Sequence, residues 1–440
     1  MTTPIFDFVK RYSESETTRF HMPGHKGVGE LGCEAFDITE ISGADVLYSA
    51  EGIIEESENN LSSLYGTAHS FYSTEGSTLA IKAMLRLASE CAGEERTLVL
   101  AARNVHTAFI KAAALLDLDV DFIYPEREGH LCECKISDED VRAAILSAKT
   151  KPRGVYITSP DYLGNMLDIR SISSVCREYG VPLLVDNAHG AYLKFLPEDI
   201  HPITLGAAMC ADSAHKTLPV LTGGAYLHIS SDFPEYTERA REALSLFAST
   251  SPSYLTLCSL DLCNKRLSED YSQKISALVS KTAEIKVKIS SLGFEVCESE
   301  PLKIVIKSGN RLADHLRKEG IEVEFADNDY TVLMLTPKNT DLDFEKLTCA
   351  LSRFEKQYRK GEIMSVKPHE RVISIRKAML SPKEIIPIEE AEGRICASPT
   401  VSCPPAVPIV VSGERITKHD IELFKYYGIN SVSVTKNGSI

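Results

Sequence analysis

At 440 residues the chain is too long for one ordinary domain, so two or three are expected. Its 43% hydrophobic and 25% charged content is that of a folded globular protein and argues against disorder as the main state. A net charge of -14 argues against a nucleic-acid backbone or an anionic membrane as the main partner, without identifying a substrate.

The opening MTTPIFDFVKRYSESETTRF has no apolar stretch of signal-peptide length, and no later run reaches bilayer-spanning length. The cytoplasm is therefore the expected compartment. The 12 cysteines are scattered, and Cys132/Cys134 and Cys258/Cys263 lack zinc-ligand spacing, so reduced thiols are expected. To about Tyr65 the chain is rich in turn formers, and HMPGHKGVGELG reads as a loop. From Gly66 to about His228, short apolar runs alternate with helical stretches. Thr97–Ala102, Val120–Tyr124, Gly154–Thr158 and Pro182–Asp186 read as buried strands. Ser77–Cys91, Thr107–Leu116 and Asp138–Ala148 read as helices. Such alternation predicts a parallel sheet covered on both faces, with ligands at the carboxyl ends of the strands. One long helix is predicted over Tyr254–Ser290. Beyond it, strand-like Leu302–Ile306 and Tyr330–Leu335 flank helical Arg311–Lys318, which suggests a smaller α/β domain. The chain turns basic and irregular near Gln357, and Val372–Ile440 reads as a third small unit.

Two runs carry the sharpest chemical signal. Asp212-Ser213-Ala214-His215-Lys216-Thr217 follows Val185-Asp186-Asn187-Ala188-His189-Gly190, and both border strand-like segments. Pyridoxal 5'-phosphate (PLP) needs such a pairing. A lysine amine forms an imine with its aldehyde, and desolvation helps keep that amine neutral. A carboxylate holds its pyridine nitrogen protonated, so that the ring accepts electrons. Lys216 and Asp186 fit these roles. Ser213 and His215 flank the lysine and can bond the cofactor phosphate. Taken alone, a lysine after a strand is a surface residue; the joint pattern is what argues otherwise.

Gly76, Ser77 and Thr78 open a helix, where a glycine, two hydroxyls and free N–H groups suit a phosphate. Ordinary capping explains them equally well on local evidence. His106 follows the Thr97–Ala102 strand and can lie over the cofactor ring, or simply be a polar strand end. His189 can bond the cofactor's phenolic oxygen, tune Asp186, or serve as a structural histidine. His21, His25 and the carboxylates of Glu56–Asn60 lack metal-ligand spacing, so no metal is expected. There is no P-loop and no G-x-G-x-x-G run to support ATP or a dinucleotide.

These runs, taken in order, resemble the fold-type I PLP decarboxylases of ornithine, lysine and arginine in their short bacterial form. The resemblance is carried by His21-Met22-Pro23-Gly24-His25-Lys26-Gly27, Asp37-Ile38-Thr39-Glu40, Arg103-Asn104-Val105-His106, Val185–Ala191 and Ser213–Pro219. Thr250–Tyr254, Pro404–Pro408 and Gly413–Ile416 extend it. It implies an α/β fold with a mainly parallel seven-stranded sheet in a PLP-binding large domain. The expected boundaries are an N-terminal arm over 1–65, the large domain over 66–265, a small α/β domain over 266–365 and a C-terminal domain over 366–440. The resemblance matches His106 to the ring-stacking histidine, Asp186 to the pyridine partner, Lys216 to the cofactor lysine, and Ser213 and His215 to phosphate contacts. It also implies a homodimer or larger assembly, with Thr250 or Ser251 reaching a neighbour's phosphate.

Three departures stand out. Glu75-Gly76 replaces the usual Asn-Gly, Thr107-Ala108 replaces Lys-Ser, and Asp212-Ser213-Ala214 replaces Gln-Ser-Thr. Glu75 is expected to point away from the phosphate, pair with a cation or meet a basic substrate. The expected reaction is decarboxylation of a basic L-amino acid to a polyamine-type amine, with His106 or Lys216 returning a proton to Cα. Asp45 or Glu75 is a candidate for the substrate's distal cation. The rivals are an α-oxoamine synthase-like condensation, a transamination, and a non-catalytic protein of the same fold.

Overall fold

The computed structural model describes residues 1–89, 96–127, 129–356, 364–399 and 405–436. The end of the predicted helix at Cys91, the basic stretch after Gln357 and Pro404 lie outside the described residues. The chain divides into two compact units, Met1–Glu90 with Ile169–Lys274, and Cys91–Asp168 with Ile275–Ile440.

The main sheet has seven strands: β1 (His69–Ser73), β2 (Leu98–Ala102), β3 (Asp119–Ile123), β4 (Gly154–Thr158), β5 (Leu183–Asp186), β6 (Met209–Asp212) and β7 (Ala225–Ile229). Their order is β1-β7-β6-β5-β4-β2-β3. The β2–β3, β2–β4 and β5–β6 pairs are parallel, while β7 runs antiparallel to both β1 and β6. β2, β5, β6 and β7 are buried along their whole length, as strands covered on both faces must be. The predicted strands fall within a residue or two of the observed ones, because continuous Val, Leu and Ala runs cannot satisfy water on either face.

In the first unit the helix Ser77–Ala88 packs on β6 and β7, and its Leu79, Ala80, Ala83 and Met84 are buried. The N-terminal helix Pro4–Ser13 packs on the helix Tyr254–Ser268, where the Asp261 carboxylate accepts the Phe6 N–H at 2.9 Å. That gives the N-terminal helix a negative partner at its positive end.

The predicted single helix over Tyr254–Ser290 is two helices, Tyr254–Ser268 and Tyr271–Ser291. Glu269 leaves the helical region at φ -94, ψ -102. Tertiary packing accounts for the break: Tyr271 is buried edge-on against Phe195, and its hydroxyl reaches the Thr217 carbonyl at 3.4 Å. No glycine or proline marks the site, so local sequence carries no warning of it.

The second unit adds a four-stranded sheet, β8 (Val296–Cys297), β9 (Lys303–Ile306), β10 (Phe325–Ala326) and β11 (Thr331–Met334), ordered β10-β11-β9-β8. It also holds a three-stranded sheet, β12 (Lys383–Pro387), β13 (Cys396–Ser398) and β14 (Ser431–Thr435), ordered β12-β14-β13. Val432 and Val434 of β14 pack with Leu423 and Phe424 of the helix Lys418–Tyr426. The buried guanidinium of Arg103 donates to the Pro408 and Ile409 carbonyls at 2.9 and 2.8 Å, tying the end of β2 to the C-terminal segment. The cysteines among the described residues are free thiols, and no helix among them is long and apolar enough to cross a membrane.

Candidate active site

The first unit brings together Gly76, Ser77, Thr78, Asp186, His189, Ser213, His215 and Lys216. Four strand ends do this: β1 leads into Gly76–Thr78, β5 ends at Asp186, β6 ends at Asp212, and β7 begins just after Gly223 and Gly224. Parallel pairing sets Asp186 beside Ala211, so the β5 and β6 motifs leave the sheet side by side. His106 lies in the second unit.

Lys216 Nζ is 3.0 Å from His189 Nε2. Lys216 is half-buried, and His189 and Asp186 are buried. The Ala188 N–H donates to Asp186 Oδ1 at 3.2 Å, which fixes the carboxylate at the start of the turn that carries His189. The amine that follows β6 thus meets the imidazole on the turn that the buried Asp186 carboxylate begins. The His215 Nδ1–H donates to the Gly224 carbonyl at 2.9 Å. With that nitrogen committed as donor, Nε2 can also donate only when the ring is protonated.

Ser213 Oγ donates to Ser77 Oγ at 2.7 Å, which joins the lysine motif to the start of the helix Ser77–Ala88. That helix begins at Gly76, with φ +73 and no side-chain cap, and has no acidic residue in its first turn. The helices beginning at Asp138, Asp341 and Lys418, in contrast, each carry a complete capping box from Ser137, Thr340 or Thr417. An uncapped helix start with hydroxyls beside it has the chemistry that suits a phosphate. The residues present therefore fit PLP: an amine for its aldehyde, a carboxylate for its ring nitrogen, and an uncapped helix for its phosphate.

Among the described residues Glu75 pairs with no cation. Its carboxylate is exposed and accepts the Ser249 N–H at 2.8 Å. Nearby, burial first and then the Glu75 and Glu58 charges push the Tyr48 phenol up. Asp45 is committed too, because its two oxygens accept the N–H groups of Val46, Glu51, Gly52 and Ile54. Its carboxylate serves the start of the helix Ile53–Tyr65. His106 caps the helix Thr107–Leu116, with Nδ1 accepting the Ala108 N–H at 3.1 Å. In the neutral ring the proton then sits on Nε2.

The third departure, Asp212, has a structure of its own. It is fully buried at the end of β6. Oδ1 accepts Asn187 Nδ2–H at 2.8 Å and the Cys210 thiol at 3.2 Å. Oδ2 lies 3.0 Å from His201 Nε2 and 3.4 Å from His228 Nε2. Burial alone would raise this carboxyl, but His201 and His228 outweigh it and hold the carboxyl well below the usual range. Burial in turn pushes His228 down. His201, Cys210 and Asp212 come within metal-ligand reach of one another, and these hydrogen bonds account for the approach. His201 and His228 escaped the sequence reading, and Asn187 stood there only as part of the Asp186 run. No local pattern links them to Asp212; the pairing of Cys210 with His228 brings His228 to it, and the pairing of Asp186 with Ala211 brings Asn187.

Residues 3–308 match the Orn/Lys/Arg decarboxylase major domain, and residues 352–434 match the C-terminal domain of the same family. The chain is 27% identical to an arginine decarboxylase of Bacillus subtilis, over 96% of this chain and 93% of that one. It is 28% identical to an arginine decarboxylase of Bacillus anthracis, over 96% and 92%. Among solved structures it resembles the Francisella novicida lysine decarboxylase LdcF, with TM-score 0.82 at 18% identity over 99% of this chain and 81% of that one. It also resembles the constitutive lysine decarboxylase of E. coli, with TM-score 0.80 at 18% identity over 99% and 82%. The α/β architecture with its mainly parallel seven-stranded sheet is thus shared with fold-type I enzymes. With both of its domains matched, the chain belongs to the Orn/Lys/Arg decarboxylase family and is a PLP-dependent amino-acid decarboxylase.

Proposed function

We propose that the chain decarboxylates a basic L-amino acid, arginine, lysine or ornithine, to the corresponding amine and CO2. Lys216 holds PLP in this reading. The observation that carries it is the half-buried Lys216 amine, 3.0 Å from His189 on the turn that follows buried Asp186. Arginine is the first substrate to test, because curated relatives aligned over nearly the whole chain are named arginine decarboxylases.

Bound PLP supplies an electron sink conjugated to the substrate Cα, into which the bond to the carboxylate can break. The chain's own residues prepare for this. Asp186 keeps a proton on the pyridine nitrogen, and its burial sharpens that charge interaction. Ser77, Thr78, Ser213 and the N–H groups after Gly76 hold the phosphate, and His215 joins them when protonated. His189 orients the Lys216 amine. Lys216 returns a proton to Cα once CO2 has left. The product is an amine of the polyamine type.

The working form is proposed to be a cytoplasmic homodimer with its sites near the subunit interface. Thr250 and Ser251 are exposed just past Ser249 and suit contact with a neighbour's phosphate. The test is an absorbance spectrum with added PLP, followed by CO2 release from arginine, lysine and ornithine in parallel. A visible imine band with CO2 from one of the three is the expected result. A band without CO2 from any of them would overturn decarboxylation of these substrates and favour condensation or transamination.

A further inference from the structure

We propose that Asp212 is a positioning residue that sets the approach of His189 to Lys216, acting through Asn187. This inference concerns the site assigned above and deepens that reading. The turn Asn187–Gly190 is fastened to β6 at two points. The Asn187 N–H donates to the Ala211 carbonyl at 3.0 Å, and its side-chain amide donates to Asp212 Oδ1 at 2.8 Å. The turn then closes on itself, with the Gly190 N–H donating to the Asn187 carbonyl at 2.8 Å. A Cβ at position 190 would lie 1.9 Å from Asn187 Oδ1. With its Nδ2 end held by Asp212, the Asn187 amide cannot swing aside, so glycine is required there. His189 is one residue before that glycine, and its Nε2 meets the Lys216 amine.

The other end of this linkage is rigid. The Asp212 carboxylate is gripped by His201 and flanked by His228. The Tyr65 ring stacks on His228 with centroids 4.3 Å apart and meets His201 edge-on at 5.1 Å. His228 Nδ1 is in turn bonded to Ser70 Oγ at 2.7 Å on β1. Ser70 on β1, His228 on β7, Asp212 on β6 and Asn187 on the β5 turn are therefore packed together, with His228 3.4 Å from Asp212, and the turn backbone carries the link on to His189 and the lysine. This group carries the residue that departs from the family's usual Gln-Ser-Thr run. The departure replaces a neutral amide with a carboxylate that accepts hydrogen bonds from Asn187 and His201.

The test follows the pH midpoint of Lys216 reductive methylation in the full chain without added PLP, read by mass spectrometry, beside thermal unfolding. Asp212→Asn and His189→Asn should move the midpoint in the same direction, each by at least about half a unit. The double variant should move it no further than the larger single shift, because both act through one contact. Asn187→Ala, which leaves the Asp212, His201 and His228 group intact, should reproduce the Asp212→Asn shift and carries the test if Asp212→Asn does not fold. A midpoint at the wild-type value in Asp212→Asn or Asn187→Ala, with only a lower unfolding temperature, overturns the inference. So does a shift that adds in full to that of His189→Asn. A missing imine band when PLP is added to the wild type would instead sink the cofactor reading and leave this measurement standing.

Discussion

Asp186 and Asp212 end neighbouring strands of one sheet, both buried, one residue apart in register. Asp212 is sealed: an amide, a thiol and two imidazoles surround its oxygens. Asp186 instead opens the turn that leads to His189 and Lys216. The contrast shows how one sheet edge supports two kinds of buried charge. A carboxylate whose donors all come from the protein contributes to shape. One that the proposed reaction needs for a cofactor contributes to chemistry. Mutations should therefore separate along this line, with activity lost at nearly unchanged stability on the Asp186 side, and stability lost together with the His189–Lys216 approach on the Asp212 side.

The largest effect is expected at Lys216. Lys216→Ala should abolish the imine band and lower CO2 release on the order of a thousandfold or more. Its unfolding temperature should stay near that of the cofactor-free wild type, because the side chain is only half-buried. Retained absorbance would place the cofactor elsewhere. Asp186→Asn should follow, with kcat reduced on the order of a hundredfold and little change in unfolding, since the amide keeps the shape but not the charge. Across the boundary, Asp212→Leu should add a large stability loss to the altered lysine contact. It leaves the His201 imidazole and the Asn187 amide buried without their acceptor, which costs about 3–5 kcal/mol. Denaturant unfolding would measure this, and a loss below about 1 kcal/mol would mean that the cluster repacks freely.

Asp261 gives a third buried carboxylate and a sharper case of linkage. Burial pushes it up to about 6, against the opposing pull of the Ser57 hydroxyl and the Phe6 N–H. Below the unfolded value of 3.8 both states are protonated and the site costs nothing. As pH rises from there to about 6, the unfolded chain loses its proton first. Stability therefore falls across that window by up to roughly 3 kcal/mol and then levels off. Asp261→Asn can still accept the Phe6 N–H, so its stability relative to wild type should climb between pH 4 and 6. A constant difference across that range would show that Asp261 ionises normally.

Much of this layout was legible in the sequence. Apolar runs marked the strands, and the two motifs ending in His189 and Lys216 marked strand ends that the parallel sheet brings together. The unread parts share a physical cause. The break at Glu269 comes from Tyr271 packing on Phe195, and Asp212 meets partners on β7 and on the segment after Phe195. The Glu75 acceptor finds its donor at Ser249, 174 residues away. Each depends on contacts that only the folded sheet creates, while the local pattern there is neutral or misleading. Asp45 is instructive in the other direction. As an acid in a loop it suited a substrate cation, yet four backbone N–H groups use its oxygens.

The smallest expected effect tests whether Glu75 belongs to either class. It immediately precedes the uncapped helix start, where a carboxylate would repel a phosphate, but it is exposed and turned toward Ser249. Glu75→Gln keeps an oxygen for that N–H and removes only the charge. At an exposed site such a charge is worth a few tenths of a kcal/mol and is screened by salt. PLP should therefore bind about two- to threefold more tightly to Glu75→Gln at low ionic strength, with the gain disappearing in high salt. Equal affinity at both ionic strengths would mean that the Ser249 contact holds the charge beyond reach of the phosphate and that Glu75 is purely a loop clamp. A gain that persists in high salt would mean that the carboxylate is partly desolvated and faces the phosphate directly.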